Sequence, residues 1–491
     1  MRVLLIYSNR SRIIEPVPPI GLSYVATATR SAGHEVRFLD LMVSRNPGRD
    51  LDEALSEFCP EVVGISVRNI DSVIAQDPSW QLGEAADLIA RIRKTGNRIV
   101  VLGGPAISVL KSRALEILDA DFAIIGEGES AFPGLLRAIG SGSGFSSIPG
   151  LSYRAGGRIQ TNPAELQKEF GPSGMENWTR WKEYDRSGGP FAIHTKRGCA
   201  LHCLYCNYPS MEGRTYRCRD AADVVDEIER VQKAVNPRTF EFTDTTFNLP
   251  TAHASAICEE IIRRNLKVKL SAVGMNPLGV TEEMLRLMKR AGFISMIVSA
   301  DAGNEAMLRN LHKGFHLEDV TRAAGLIRAS GIHSTWFFLL GGPGETEATV
   351  RETLAFAEAY LNYSRCLTIV MTGIRILPGT PLAESLQESG SIPPDADLSA
   401  PAFYFAPGLS ERRVLDLISE SIRRCPTIVH GGEQGGSTAE RLFYRAIQMA
   451  GGAPPYMRFL PQFLSLPFVP QLRAAQTGCI SETQAGVYLV S

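Results

Sequence analysis

The stretch RGCALHCLYCNYP, residues 197–209, sets Cys199, Cys203 and Cys206 in a C-x3-C-x2-C pattern, in a chain with nine cysteines. Thiolates at such close spacing suit two kinds of centre. A structural zinc ion closes with four protein ligands, and His202 or Cys218 could supply the fourth. Zinc's usual signature is two separated ligand pairs, not one tight triplet. A 4Fe–4S cluster held by three thiolates leaves one iron open to a small molecule. Cys59, Cys218, Cys258, Cys366, Cys425 and Cys479 are spread thinly and read as buried small hydrophobes. An odd count with one cluster argues against a disulfide framework.

Such a triplet needs a scaffold. From residue 191 short β-branched runs (FAIHT, TFEFT, VKLSAVG, FISMIVS, HSTWFFLL, LTIVMTGIRI) alternate with helical spacings such as Val224, Ile228, Val231, Val235 and Leu317, Val320, Ala324, Ile327. Six βα units in series predict a full or partial parallel barrel, whose chemistry sits at the C-terminal ends of its strands. The triplet follows the first strand and falls on that face. Residues 1–139 repeat the alternation with RVLLIYS, EVRFLDL, VVGISV, RIVVLGG and FAIIGEG, and with Leu82, Ala85, Ala86, Ile89 and Ile92 on one helical face. This predicts an open, doubly wound parallel sheet whose ligand lies beyond the strand C-termini. There the sequence places Pro18-Pro19, Arg68-Asn69, Gly103-Gly104-Pro105 and Glu127-Gly128-Glu129.

The fold class expected is α/β, with four regions. Residues 1–140 form the first sheet domain. Residues 141–190 are a linker that opens with GSGSG and holds a hairpin turning at Gly156-Gly157, followed by an irregular connection with Trp178 and Trp181. Residues 191–400 form a partial (β/α)6 barrel. Residues 401–491 are mainly helical, with a loose HGGEQGG and a Pro- and aromatic-rich 453–470 stretch read as a cap over the active site. The prolines of that stretch break any long amphipathic helix, so a membrane surface role is disfavoured, though a lipid substrate stays open. The aromatics of TWFFLL and AFYFAP fall near the barrel mouth, where core packing explains them as well as substrate contact does.

The formal net charge is −1, which removes the electrostatic driver for nucleic-acid binding. No run approaches the ~20 apolar residues of a membrane span, and MRVLLIYSNR reads as a buried strand rather than a signal peptide. A cytoplasmic location is the expectation.

In this setting the triplet, with Tyr205 before its last cysteine, resembles the radical S-adenosylmethionine (SAM) superfamily. The resemblance implies that Cys199, Cys203 and Cys206 hold a 4Fe–4S cluster whose open iron chelates SAM, that reductive cleavage of SAM yields a 5′-deoxyadenosyl radical, and that an electron donor such as flavodoxin or ferredoxin serves the cluster. FTDTTF (242–247) then implies SAM contacts from Asp244 and Thr245. SADAGNEAMLRNLHKG (299–314) implies contacts from Ser299 and Asp301. LLGGPGET (339–346) implies Gly341 and Gly342 near the adenine, and GIRILPGTPLAE (373–384) resembles the sixth-strand segment.

A doubly wound sheet ahead of such a barrel resembles the cobalamin-binding (B12-binding) members of that superfamily. VPPIGLSYVATATRSAGHEVRFLD, GISVRNID, LGGPAIS and IIGEGESAF carry the likeness across residues 17–132. It implies cobalamin contacts from Pro19, Arg68, Asn69, Gly103, Gly104, Glu127, Gly128 and Glu129. The D-x-H-x-x-G motif is absent, and His34 reads as structural. Arg68 stays protonated and cannot ligate cobalt; it would block the lower corrin face, as in the tryptophan 2-C-methyltransferase branch. The function implied is an enzyme, a radical SAM C-methyltransferase that moves a methyl group from SAM via methylcobalamin to a carbon of a natural-product-like, aromatic or indole small molecule. The alternative is a non-methylating rearrangement, ring contraction or cyclisation with the same cofactors. A non-enzymatic Fe–S or cobalamin-binding protein ranks last.

Overall fold

The computed structural model describes residues 1–11, 15–431, 438–466 and 488–490. Strand β1 (Arg2–Tyr7) shows why the first sheet lies inside the molecule. Its VLLIY run is buried throughout, as parallel strands with both faces covered must be. Val3 and Leu5 enter one apolar cluster, whereas Leu4 and Ile6 enter another across the sheet. Around β1 lie β2 (Glu35–Asp40), β3 (Val62–Ser66), β4 (Ile99–Gly103) and β5 (Phe122–Ile124), all parallel, in the order β2-β1-β3-β4-β5.

The hairpin expected in the linker is β6 (Leu151–Ala155) and β7 (Arg158–Thr161), turning at Gly156 and Gly157 with φ of 57° and 76°. Two successive positive φ values are what a two-residue hairpin with the strands' twist demands. The hairpin is no linker, however. Strand β6 pairs antiparallel with β5 and extends the first sheet to seven strands. Nor is GSGSG wholly a linker, because the helix Gly128–Ser141 runs into it.

The second sheet holds seven parallel strands: β8 (Phe191–Ile193), β11 (Phe240–Phe242), β12 (Leu270–Met275), β13 (Phe293–Asp301), β14 (His333–Leu340), β15 (Cys366–Thr372) and β18 (Ile428–His430). Two short antiparallel pairs lie between them, β9 (Lys196–Arg197) with β10 (Arg217–Cys218), and β16 (Ile374–Arg375) with β17 (Ala402–Tyr404). Among the described residues β8 and β18 are the free edges, so the barrel is partial. The expected six-strand barrel gains β18 from the C-terminal region.

The connection 175–191 is mortar between the two sheets. Trp181 stacks on Tyr184 and packs on Phe191, and Trp178 donates from its indole to Thr27. Val3 and Leu5 of the first sheet and Phe191, Phe240 and Trp336 of the second therefore share one continuous core. Trp336 and Phe338 of TWFFLL belong to that helix-facing core, so packing accounts for them.

The described part of the cap segment lies elsewhere than expected. Thr239, just before β11, donates to Pro454 O, and the His333 ring, at the start of β14, pairs with Arg458 O. Met457, Phe463 and Leu464 pack on Leu367, Ile369 and Val429. Residues 453–464 thus close the N-terminal mouth of the barrel, opposite the cysteines, as a floor rather than a lid.

Candidate active site

The cysteine loop is closed at its base by the β9–β10 pair. Gly198 turns it with φ of 90°, and a Cβ there would lie 2.1 Å from Thr215 O, so only glycine fits. Cys199 N donates to Gly213 O, Leu204 N to Leu311 O and Leu382 N to Leu204 O, which tie the loop to the segments after β13 and β15. Cys199 is buried; Cys203 and Cys206 are half-buried. Burial, reinforced by the neighbouring thiols, pushes Cys206 up to about 12 and raises Cys203 as well. Three thiolates can coexist here only with strong positive charge among them, which a metal centre supplies. Among the described residues no three His, Cys, Asp or Glu side chains are grouped as ligands of a single ion. Three thiols on one loop are the donor set of a cluster that leaves one iron open. The donor set fits the cluster.

Beside it lies an unexpected cation. Tyr205 Oη donates to Asp301 Oδ2, and Lys313 Nζ donates to the same oxygen at 2.5 Å and to Tyr205 at 3.3 Å. Asp301 sits at an irregularity of β13 with φ of 65°, which turns its carboxylate toward Lys313. Burial opposes the charge on Lys313, but Asp301, Tyr205 and Cys203 hold its pKa well above the ordinary lysine value. Lys313 lies inside the 299–314 segment, but in the sequence a lysine after a short helix reads as a solvated charge.

Several expected SAM contacts are already engaged. Asp244 accepts from Thr195 N at 2.8 Å, Thr195 Oγ1 at 2.5 Å, Lys196 N at 3.2 Å and Lys196 Nζ at 3.1 Å. Burial pushes its carboxyl up, but Lys196 and Thr195 more than offset that and hold it below the ordinary range. Asp244 therefore braces the cysteine loop instead of offering an acceptor for an amino group. The amides of Gly341 and Gly342 both donate to Glu345 Oε2, so they are not free for adenine. Burial pushes Glu345 up to about 7. Thr245 donates to Gly198 O at 3.0 Å, next to Cys199, and Ser299 is a half-buried side chain on the lumen face of β13. Tyr205, Thr245, Ser299 and Asp301 are thus the expected residues at the cysteine end of the lumen.

The first domain presents its strand ends to the same mouth. The loop after β3 is docked on the barrel: Asp71 pairs with Arg375 at 2.7 Å, and Gln76 donates to Thr372 Oγ1 and Glu411 Oε1. Arg68, at the start of that loop, donates to Asn69 Oδ1. The helix Pro105–Leu110 touches the helix Tyr208–Glu212, which begins two residues beyond Cys206. Gly103 opens onto free space, whereas a Cβ at Gly104 would strike Val67 O at 2.6 Å. Arg68, Asn69, Gly103 and Gly104 are half-buried at the strand ends of the first domain, on the side of the cysteine loop. Pro19 is buried at the start of the helix Ile20–Ser31, and Gly128 abuts Val25. Glu127 and Glu129 are already engaged as acceptors. Glu127 takes Arg217 Nη2 at 2.6 Å and Gln167 N at 2.8 Å, and Glu129 takes Arg197 Nη2 at 2.5 Å. Two nearly buried arginines flanking the cysteine loop need counter-charges, and these carboxylates supply them.

Of the cysteines read as buried bystanders, Cys258, Cys366 and Cys425 are buried, but Cys59 and Cys218 are exposed. Cys479 and most of HGGEQGG lie outside the described residues. Among the described residues no helix is long and apolar enough to cross a membrane.

Comparison with known proteins follows the same division. The Radical SAM superfamily profile matches residues 193–357, and the B12 binding domain profile matches residues 12–136. The chain is 26% identical over 371 residues to an uncharacterized methyltransferase of Pyrococcus horikoshii, covering 73% of this chain and 78% of that one. It is 26% identical over 445 residues to the tryptophan 2-C-methyltransferase of Streptomyces laurentii, covering 77% and 74%. The radical SAM methyltransferase TsrM of Kitasatospora setae, solved with cobalamin and a [4Fe-4S] cluster bound, superposes with a TM-score of 0.81 at 25% identity over 97% of this chain and 99% of that one.

Proposed function

We propose that this chain, which belongs to the radical SAM enzymes that carry a B12-binding domain, is a C-methyltransferase acting on a small molecule. When bound, the 4Fe–4S cluster, SAM and cobalamin together supply a methyl group that reaches carbon centres closed to ordinary nucleophilic transfer. One observation carries the reading: the cysteine loop and the β3 and β4 loops of the first domain meet at one mouth, with the helix Pro105–Leu110 against the helix Tyr208–Glu212 and Asp71 paired with Arg375. Catalysis of this kind is mainly positional.

The chain's own residues divide that work. Cys199, Cys203 and Cys206 would hold the cluster. Lys313 places a buried cation beside Cys203 and fixes Tyr205 and Asp301. Asp244 and Lys196 brace the base of the cysteine loop, since Asp244 also accepts from the backbone there. Arg68, Asn69, Gly103 and Gly104 would border cobalamin, and Arg68, which stays protonated, would not ligate its metal. The Asp71–Arg375 pair keeps that loop docked on the barrel. A cytoplasmic setting keeps these thiols reduced, and an electron donor such as flavodoxin or ferredoxin would feed the cluster.

The test is anaerobic reconstitution with iron, sulfide and hydroxocobalamin, followed by SAM labelled in its methyl group. About four irons and one corrinoid per chain, with label passing to reduced cobalamin and then to a product carbon, are the expected results. Deoxyadenosine without any labelled product would replace methylation with the rearrangement or cyclisation reading.

A further inference from the structure

The side chains that face the barrel lumen are unevenly packed above a closed N-terminal mouth. On β12, β13 and β14, Ala272, Met296, Val298, Trp336 and Phe338 are buried against the outer helices. The side chains facing the other way are only half-buried at Val273, Ile297 and Leu339, and none of these joins an apolar cluster. Apolar side chains that are enclosed by strands yet unpacked line a space.

Beneath that apolar wall the in-register row Glu241, Ser271, Ser295, His333 forms a polar floor. Ser271 Oγ donates to Glu241 Oε2 at 2.7 Å. Ser295 is 6% exposed, and among the described residues its hydroxyl has no partner. Glu15, reaching in from the loop after β1, is held by the amides of Tyr456 and Met457, lies in the field of Glu241 and of Arg458, and leaves Oε1 without a partner among the described residues. Burial raises both carboxyls, Glu241 to about 7. A carboxyl with one hydrogen bond beside an unsatisfied hydroxyl, under an apolar space, is an acceptor site awaiting a donor.

We propose that this floor recognises the amino group of the substrate, with Glu241 as its anionic partner and Ser295 as a second acceptor. The proposal rests on the methyl-transfer reading only in calling the occupant the substrate. Ser299, at the cysteine end, stands four residues above Ser295 on β13, roughly 13 Å at ~3.3 Å per residue. The occupant is therefore an elongated amine with an apolar body that packs on Val273, Ile297 and Leu339 while its far end reaches the cofactor mouth.

The experiment uses the reconstituted, cobalamin-loaded protein and three probes of one shape: tryptamine, indole-3-ethanol and indole-3-acetate. Calorimetry should show tryptamine binding at least about tenfold more tightly than the alcohol, with the acetate excluded. Glu241→Gln, nearly isosteric, should remove that preference, and Ser271→Ala, which keeps the carboxyl but removes its hydrogen bond, should reduce it. Cobalamin loading, read from the visible spectrum, checks that both variants fold. Absence of tryptamine binding at millimolar concentration, equal binding of the acetate, or an unchanged preference in Glu241→Gln would overturn the proposal. Labelled methyl transfer to reduced cobalamin is followed in the same wild-type samples. Its failure with amine selectivity intact would refute the methylation reading and support this site.

Discussion

Replacing Asp71 should release the loop that borders the proposed cobalamin site. Asp71 Oδ2 accepts from Arg375 Nε at 2.7 Å with side chains 0% and 4% exposed, and Oδ1 accepts from Val73 N. Breaking a buried pair by removing one partner costs ~3–5 kcal/mol, because the other charge stays buried. Arg375 keeps the carbonyls of Ile376, Leu398, Ala400 and Ala402 as acceptors, so Asp71→Ala should cost about 3 kcal/mol, the lower end of that range. If the loss appears wholly as undocking of residues 67–81, cobalamin affinity falls by up to about 150-fold. The assay pairs cobalamin titration by visible absorbance with hydrogen exchange of a peptide spanning 67–81. The double variant Asp71→Ala/Arg375→Met removes both charges and should recover much of the stability without redocking the loop. Unchanged exchange and unchanged cobalamin affinity in Asp71→Ala would refute the claim that this pair pins the loop.

Other outcomes can be read from single variants. Alanine at Cys199, Cys203 or Cys206 should reduce iron content to background and abolish SAM cleavage while leaving corrinoid binding intact, as metal analysis and visible spectroscopy would show. Lys313→Met should make the cluster harder to reduce, since it removes a buried cation beside Cys203; an EPR-monitored redox titration reads the shift, and an unmoved potential would remove Lys313 from that role. The Glu241 carboxyl is raised from 4.5 to about 7, so the folded state binds more protons than the unfolded state across that interval. Stability contributed by neutral Glu241 is then present at the acid end and lost as pH rises from about 4.5 to about 7, by at most about 3 kcal/mol. Glu241→Gln should flatten that part of the profile in chemical unfolding measured at pH 5 and pH 8.

The sequence made the triplet and the alternation of strands and helices plain, because thiol spacing and β-branched runs are local signals. What it hid was non-local. Strand β18 is a three-residue edge inside a helical region, too short to show periodicity. Glu127, Glu129 and Asp244 look like site carboxylates because they follow strand ends, but their partners Arg217, Arg197 and Lys196 are set beside them only by the docking of two sheets or the closing of a loop. The 453–464 segment carries apolar residues and prolines that say it covers something, yet nothing in its composition says which mouth of a barrel. The polar floor is hidden for a similar reason. Glu241 sits between Phe240 and Phe242, where alternation shows that it faces away from them but not that it meets Ser271 and Glu15.

The ion pairs between the domains invite a sharper reading than extra stability. Arg197 and Glu129 are nearly buried, and desolvating them costs about as much as their attraction returns. The apolar connection around Trp181, Tyr184 and Phe191 already holds the domains together on the far side. Arg197 lies two residues before Cys199, so its tether to Glu129 fixes the cysteine loop against the end of β5. Its energetic contribution is geometric: it sets where the cluster stands relative to the first domain. Arg197→Met/Glu129→Met should therefore keep unfolding stability within about 1 kcal/mol of the parent, or raise it, while loosening that separation. Dipolar coupling between the reduced cluster and paramagnetic cobalamin, read by pulsed EPR, measures the separation directly. A broadened distance distribution at preserved stability is the expected result. A loss of ~3–5 kcal/mol with an unchanged distribution would make the tether a plain stability contact.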